Sequence, residues 1–390
     1  RKIPQTDKRF QTEYASSYGW LFHEAIVGSG TLLETAASWA RIDRKRRGSD
    51  DDEDTTFGID DRRHLRVVEL RQRGDAQANS RHFLSWGVEG RRYLADYDYR
   101  GVREFGNPLA KIRHDFGREA TAFSAQLRER HEGAFFSDRW RGEGRLTAEL
   151  GARVDSYTQT DETRISPRLN LALALGPSSL ARLAWGRFEQ SQRPNELQVE
   201  DGDSTISLVE RSEHRVLGFE HAPTVRRSLG VSVVRLELYE RRVENPRRSY
   251  ENLFEPLNTF PEVEPDRILI EPKESIARGA ELFARGEIGE RVGWSASYAY
   301  SASRDRIAAR WRPRAFDETH AVKLDFDWRV SERTRANFAW RGHSGWPTTR
   351  IGLATTIDDD GEVEFEPLLG PLHGERLPPY HRLDLRLSRT

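Results

Sequence analysis

The sequence predicts an all-β protein, a large antiparallel up-and-down transmembrane β-barrel, from three observations. Apolar and polar residues alternate with period two in many separate segments. Short turns and long polar connections follow one another along almost the whole chain. No apolar run reaches the roughly 18 residues that a transmembrane helix requires, so strands are the remaining way for this sequence to cross a bilayer.

The alternation is clearest in residues 146–155, where apolar residues occupy every second position. These residues are Leu146, Ala148, Leu150, Ala152 and Val154, with polar residues or glycine between them. Because successive side chains of a strand point to opposite faces, one face is apolar and the other polar. The pattern recurs in residues 169–175, 234–239, 322–330 and 382–387. Such strands are typical of a barrel with lipid on one side and water on the other.

Two kinds of connection separate the strands. Turns rich in Gly, Ser, Asn and Asp are expected at residues 28–30, 74–79, 142–144, 176–179, 222–227, 288–291 and 331–334. Long polar connections are expected at residues 47–62, 99–119, 190–204, 244–273, 303–319 and 341–379. Short turns on one rim and long loops on the other are typical of membrane barrels. A soluble β-sandwich explains the alternation but not this order of connections.

Aromatic residues and the strand count refine this interpretation. Several of the ten tryptophans lie near strand ends, among them Trp20, Trp86, Trp140 and Trp328, and such rings favour the membrane interface. We count about 15–16 strands, whereas single-chain bacterial barrels close with an even number. Residues 1–390 are therefore interpreted as a single β-barrel domain fragment, with strands missing from one or both ends.

Composition and motifs exclude several classes of function. Lys and Arg total 62 and Asp and Glu total 63, so the basic excess of a nucleic-acid binder is absent and no nucleic-acid partner is expected. The chain has no Cys, which removes disulfides, thiolate zinc sites and thiol nucleophiles. His23 and Glu24 begin HEAIV, which is not the HExxH zinc motif. His343 and Ser344 lie in a GHSG run that departs from GxSxG.

Metal and cofactor sites are not expected either. The acidic run at residues 50–54 lacks the spaced ligands and glycine of an EF-hand loop. His214 and His221 lie seven residues apart on one strand, so their side chains point to opposite faces. The sequence therefore predicts neither an enzyme, nor a metal centre, nor a cofactor site.

Six segments in order resemble the strand motifs of TonB-dependent outer-membrane receptors. They are RLTAELGARVDSY (145–157), ISPRLNLALAL (165–175), WGRFEQSQRPNEL (185–197), ERSEHRVLGFE (210–220), SIARGAELFARG (275–286) and LPPYHRLDLRLSR (377–389). Their order and spacing match the family from about Ser80 onwards, and before Ser80 the match rests on the alternation alone. The plug domain and the final strands of the family are not visible in this sequence.

The resemblance implies what the whole protein does. Receptor barrels of this class have about 22 strands and a plugged lumen, of which this chain would supply 15–16 strands and no plug. It implies a place in the bacterial outer membrane, surrounded by the lipid bilayer and lipopolysaccharide. It also implies active uptake of a scarce small-molecule ligand, such as an iron–siderophore chelate, haem, cobalamin or an oligosaccharide. The energy would come from the TonB energy-transducing complex, acting through the plug.

Aromatic and basic loop residues are the candidates for ligand contact, namely Tyr250, Phe254, His343 and Trp346. Ordinary loop packing is an equally good interpretation of each. The main alternative function is a passive outer-membrane porin, a diffusion channel that needs fewer strands and a constriction loop rather than a plug. The collinear motifs favour the receptor over the porin.

Overall fold

The fold is known from a computed structural model that describes residues 9–28, 30–52, 55–105, 112, 118–224, 229–253, 259–357, 361 and 363–389. Its strands are β1 (Arg9–Val27), β2 (Thr31–Asp52), β3 (Thr55–Gln77), β4 (His82–Phe105), β5 (Arg118–Arg141), β6 (Leu146–Tyr157), β7 (Glu162–Gly176), β8 (Ser179–Gln190), β9 (Glu210–His221), β10 (Val231–Glu244), β11 (Ser249–Asn252), β12 (Arg267–Ile270), β13 (Glu274–Ile288), β14 (Val292–Ile307), β15 (Arg310–Pro313), β16 (His320–Arg329), β17 (Thr334–His343), β18 (Pro347–Thr348), β19 (Ile351–Ile357), β20 (Val363–Leu369), β21 (Glu375–Arg376) and β22 (Tyr380–Arg389). Among these residues, no helix is long and apolar enough to cross a membrane.

Sixteen of the strands form one antiparallel sheet in which chain neighbours are also spatial neighbours. Its order is β1 to β10, then β13, β14, β16, β17 and β22, with β15 paired to β14. Three small hairpins, β11–β12, β18–β21 and β19–β20, lie within the long connections. The predicted large up-and-down architecture is confirmed, and the strand count agrees with the 15–16 expected.

One face of the sheet is a continuous apolar surface. Leu171, Leu183, Leu217 and Leu238 stand side by side on four successive strands, β7 to β10. Leu183, Leu217 and Leu238 are each 42–53% exposed, so these side chains are not packed between two sheets. An exposed apolar belt of this extent marks a surface that contacts lipid. The stripes that the alternation predicts therefore face outwards.

The strands differ greatly in length around the sheet. Strands β2 to β5 have 22 to 24 residues, whereas β16, β17 and β22 have ten each. Ten residues at ~3.4 Å rise and ~40° tilt span about 26 Å, close to the height of a membrane barrel's apolar band. Strands β2 to β5 therefore extend well beyond the bilayer on the side of the long connections.

This extension corrects two of the predicted loops. The polar connection expected at residues 47–62 is mostly strand, since β2 ends at Asp52 and β3 begins at Thr55. The connection expected at residues 99–119 is also shorter, because β4 runs to Phe105 and β5 starts at Arg118. Beyond the bilayer no lipid requires an apolar side chain at every second position of the outer face, so the polar sequence resembles that of a loop.

Candidate functional site

A buried ion-pair cluster lies on the inner face of the extended strands. It consists of Arg46 on β2, Asp61 and Arg63 on β3, and Glu200 and Glu262 from two loops that fold inwards. Arg46 Nη2 lies 2.7 Å from Asp61 Oδ2 and 3.0 Å from Glu262 Oε1. Arg63 Nη2 lies 2.6 Å from Glu200 Oε2. The cluster thus fastens residues 191–209 and 259–266 to β2 and β3.

Apolar side chains surround this cluster and exclude water from it. Tyr97 and Tyr99 on β4 pack with Leu197, Val199 and Phe260 of the two loops in one buried apolar group. The Tyr97 hydroxyl donates to the Pro194 carbonyl at 2.8 Å. The side chains of Asp61 and Glu262 are fully buried. Charges held this deep require close partners, so the loops are fixed rather than free.

The two loop carboxylates respond differently to this burial. Burial raises the pKa of Glu262 above its usual range, and the attraction of Arg46 offsets only part of that effect. Burial also acts on Glu200, but Arg63 and Arg46 outweigh it and lower the pKa of that carboxyl. Glu200 therefore stays ionised in the cluster and holds its charge against Arg63.

The predicted contact residue Tyr250 belongs to a neighbouring assembly. It lies on β11, which pairs with β12, and the Arg267 guanidinium sits 5.6 Å from the centre of its ring. Arg267 also makes a bidentate contact with Asp201, at 2.6 and 2.5 Å, and donates to Asn252 at 2.8 Å. Tyr250 is half-buried in this packing. Phe254, the second candidate, lies outside the described residues.

The other two candidates, His343 and Trp346, come together in an aromatic loop cluster with Phe316 and Tyr380. The His343 ring is 5.9 Å from that of Trp346 and 5.0 Å from that of Tyr380. Phe316 meets Trp346 edge-on at 5.1 Å. Trp346, Phe316 and Tyr380 are 36–47% exposed. The cluster is therefore an open aromatic surface at the end of the short strands.

Polar partners orient the rings of this cluster. Trp346 Nε1 donates to Glu318 Oε1 at 3.1 Å. His343 Nδ1 lies 2.9 Å from the Ser344 carbonyl oxygen and 3.6 Å from the same Glu318 oxygen. Polar tips held in this way leave the ring faces of the cluster available for contact. Stacked aromatic rings with one fixed polar group are the arrangement found in small-molecule sites.

A clamp that the sequence did not reveal holds the loops beneath the cluster. Arg376 Nη1 donates to the carbonyls of Asp317 and Gly345 at 2.8 and 2.9 Å, and its Nη2 donates to Asp317 Oδ2 at 2.5 Å. Asp317 also accepts from the Ser303 amide at 2.7 Å. The clamp joins residues 59 positions apart, so no local pattern could have indicated it.

The inner wall carries one group with metal-ligand chemistry. Ligand atoms of Glu89, His131 and Asp155 lie within 4.8 Å of one another. Arg153 Nη2 reaches into this group, 2.5 Å from Glu89 Oε1 and 2.7 Å from Asp155 Oδ1. The Arg153 guanidinium therefore already supplies the positive charge that these side chains would otherwise receive from a metal ion.

Together these features define a class of protein: the wall of a large antiparallel transmembrane β-barrel with an apolar outside, a charged inner face and loops folded over one rim. The chain belongs to the family of TonB-dependent receptor-like β-barrels, whose model matches residues 4–389. The family resemblance seen in the sequence is thereby confirmed. No curated protein matches the chain.

Solved structures share this fold at low sequence identity. The chain is similar to a mutant of the ferric enterobactin receptor PfeA of Pseudomonas aeruginosa, with a TM-score of 0.57, 12% identity, 98% of this chain and 62% of that chain covered. For the siderophore receptor PiuA of Acinetobacter baumannii the values are 0.58, 10%, 98% and 59%. For the FrpB iron transporter of Neisseria meningitidis they are 0.54, 12%, 98% and 62%. The chain thus spans about three fifths of the length of these proteins.

Proposed function

We propose that this chain forms most of the wall of an outer-membrane receptor that imports an iron–siderophore chelate by TonB-dependent transport. The family membership of residues 4–389 supports the receptor class. The names of similar structures, a ferric enterobactin receptor and a siderophore receptor among them, favour a metal chelate as the ligand. In the whole protein, a plug domain inside the barrel would couple the ligand to the TonB complex.

The observation that carries the proposal is the aromatic loop cluster. Siderophore chelates present flat aromatic or amide surfaces around a metal, and exposed rings such as Trp346 and Phe316 bind such surfaces by stacking. Tyr250 would contribute to the same mouth from the β11–β12 hairpin. His343 adds a polar edge next to Glu318.

The test measures the binding of ferric chelates to the full-length protein in detergent, with tryptophan fluorescence as the signal. Ferric catecholate, ferric hydroxamate and metal-free chelator serve as probes. Trp346→Ala is expected to weaken the binding of one ferric chelate about tenfold, the usual effect of removing an aromatic anchor. Trp328→Ala is the matched control, because Trp328 is 50% exposed on the apolar outer face, away from the loops.

Uptake in cells separates the receptor from the porin alternative. Labelled ferric chelate is expected to enter cells that produce the protein and to stop entering when the tonB gene is deleted. Uptake that persists without TonB and scales linearly with concentration would establish a diffusion channel instead. Equal binding by wild type and Trp346→Ala would remove the aromatic loop cluster from the site.

A further inference from the structure

Two rows of side chains on the outer face of β2 to β5 are unusually basic. The upper row runs Arg41, Arg66, Leu94 and Arg128 across the four strands. The lower row runs Trp39, Val68, Arg92 and Arg130. We call the five arginines of these two rows the outer arginine rows. They point away from the buried ion-pair cluster, since Leu65 and Ala95 on the same strands are buried on the opposite face.

The outer arginine rows carry more positive charge than their surroundings neutralise. Arg41 pairs with Asp43 at 3.0 Å, Arg66 with Asp96 at 3.5 Å, and Arg130 with Glu132 at 3.4 Å. Arg128 donates to the neutral Gln126 amide oxygen at 2.6 Å. The Arg92 side chain makes no hydrogen bond or ion pair with any residue that the structure describes.

Register makes this imbalance costly for the isolated protein. Arg41 stands directly opposite Arg66, and Arg92 directly opposite Arg130. Like charges that face each other across two strands are destabilising. On the wall formed by β9, β10 and β13, by contrast, Arg215 lies 2.6 Å from Glu213 and Arg278 lies 2.6 Å from Glu240. An external anion bound to the outer arginine rows would therefore offset this repulsion.

Their height places them at a membrane surface. Arg92 and Arg130 stand ten or eleven residues from the short-turn ends of β4 and β5, which corresponds to about 26 Å and the top of the apolar band. Val88, nearer the short turns, is 57% exposed, and Trp39 and Val68, which share the lower row with the two arginines, are 50% and 59% exposed. A shallow groove of about 480 Å³ is lined by Val68, Leu94 and four of the arginines. It therefore brings basic and apolar side chains together in one surface.

We propose that the outer arginine rows bind a phosphorylated glycolipid of the outer leaflet. Its phosphates would pair with Arg92, Arg128 and Arg130, because the guanidinium fork matches phosphate bidentately. Its acyl chains would extend from there over Val68 and Val88 towards the apolar belt. A zwitterionic phospholipid fits less well, since it carries its own cation. The proposal rests on the outer-membrane placement proposed above, but not on the identity of the transported ligand.

The experiment measures lipid binding by native mass spectrometry and by thermal unfolding in a zwitterionic detergent. The full-length protein is titrated with a bisphosphorylated lipid A, with its dephosphorylated form, with phosphatidylethanolamine and with inorganic phosphate. Arg92→Gln/Arg128→Gln/Arg130→Gln is compared with Arg215→Gln/Arg278→Gln, which removes arginines that already have glutamate partners. Heat-modifiable mobility on a gel checks that each variant is a folded barrel.

Bisphosphorylated lipid A is expected to bind and to raise the unfolding temperature of the wild type, and the triple variant should lose at least about tenfold in affinity. The single variant Arg92→Gln should unfold at a higher temperature than the wild type without lipid, because it removes one like-charge pair. Equal binding by the triple and control variants would overturn the proposal, as would equal binding of the dephosphorylated lipid. Stabilisation by inorganic phosphate alone would show a free-anion site instead. A chain that never gains heat-modifiable mobility would refute the membrane placement itself.

Discussion

The two ends of the sheet solve the same problem, holding loops over the barrel mouth, in opposite ways. Around β2 to β4 the loops are held by the buried ion-pair cluster, in which Arg46 and Glu262 are almost completely buried. Around β16, β17 and β22 the loops are held by the Asp317–Arg376 clamp, and the aromatic loop cluster above it stays exposed. The first region is closed, with its charged side chains buried. The second region is open, with its aromatic side chains exposed to water.

On the proposed function, the first region supports the loops and the second region is the one that contacts the ligand. Long strands provide a surface on which polar loops can be buried, so charge pairs there fix the loops in one arrangement. Short strands end near the bilayer, so the loops above them have no wall to pack against. Their aromatic side chains stay in water, where a ligand can reach them. The two regions should therefore respond differently to substitutions and to pH.

The largest effect is expected from breaking the buried ion-pair cluster. Arg46→Met leaves Glu262 without its guanidinium partner in a buried position, which costs about 3–5 kcal/mol. Amide hydrogen exchange of residues 259–266 in the detergent-solubilised protein should accelerate accordingly. Arg46→Met/Glu262→Leu should recover much of the loss, since a buried pair can be replaced by apolar groups.

The control for that change is Arg382→Gln on β22, where the Arg382–Asp384 pair is 60% and 48% exposed. It should leave exchange in residues 259–266 unchanged. If Arg46→Met also left exchange there unchanged, the loops would be held by their apolar contacts, and the contrast between the two regions would be lost.

A smaller effect is expected from crowding the open region. A Cβ at Gly345 would lie 1.5 Å from the Leu377 carbonyl oxygen, so Gly345→Ala forces apart the two segments that carry the aromatic loop cluster. Overpacking of this kind costs about 1–3 kcal/mol. Gly352→Ala is the matched control in the same connection, because its Cβ would make an ordinary 3.9 Å contact. Gly345→Ala alone should weaken chelate binding and speed exchange in residues 344–349.

The smallest effect is a pH response of opposite sign in the two regions. Burial opposes a charge on His373, but Glu251 at 3.5 Å and the Pro313 carbonyl at 2.8 Å outweigh it and raise its pKa above the ordinary value of 6.5. A raised pKa stabilises the fold below about pH 6.5 and loses that contribution as pH rises through the raised value. The protection factors of residues 371–376, which are corrected for the intrinsic rise of exchange with pH, should therefore fall as the pH rises, and His373→Gln should remove this fall.

The closed region should respond at the acid end. The pKa of Glu200 is lowered from its ordinary 4.5, so its contribution is present above that value and is lost as pH falls through the lowered one. The protection factors of residues 197–202 should fall only in acid, and Glu200→Gln should be insensitive to that change. The same direction of pH response in both regions would contradict the assigned charges.

The sequence predicted the strands well wherever contact with lipid requires apolar side chains at a regular spacing. The rows through Leu150, Leu217 and Leu385 were predictable because the bilayer demands an apolar side chain at every second position. Above the bilayer that demand ends, so the strand extensions at residues 47–62 resembled a loop. His343 and Trp346 could be proposed because they lie in the polar connection expected at residues 341–379, although His343 is the last residue of β17. The Asp317–Arg376 and Arg46–Glu262 contacts join residues far apart in the chain, and only the fold brings them together.

The unequal strand lengths also determine how a molecule reaches the mouth. Strands β2 to β5 exceed β16 and β17 by 12 to 14 residues, which corresponds to a step of about 31–36 Å at ~3.4 Å per residue and ~40° tilt. The rim is therefore slanted, like a cylinder cut obliquely. A solute that diffuses towards the rim at β2 to β5 meets the wall formed by the long strands. A solute that diffuses towards the rim at β16 and β17 reaches the aromatic loop cluster first.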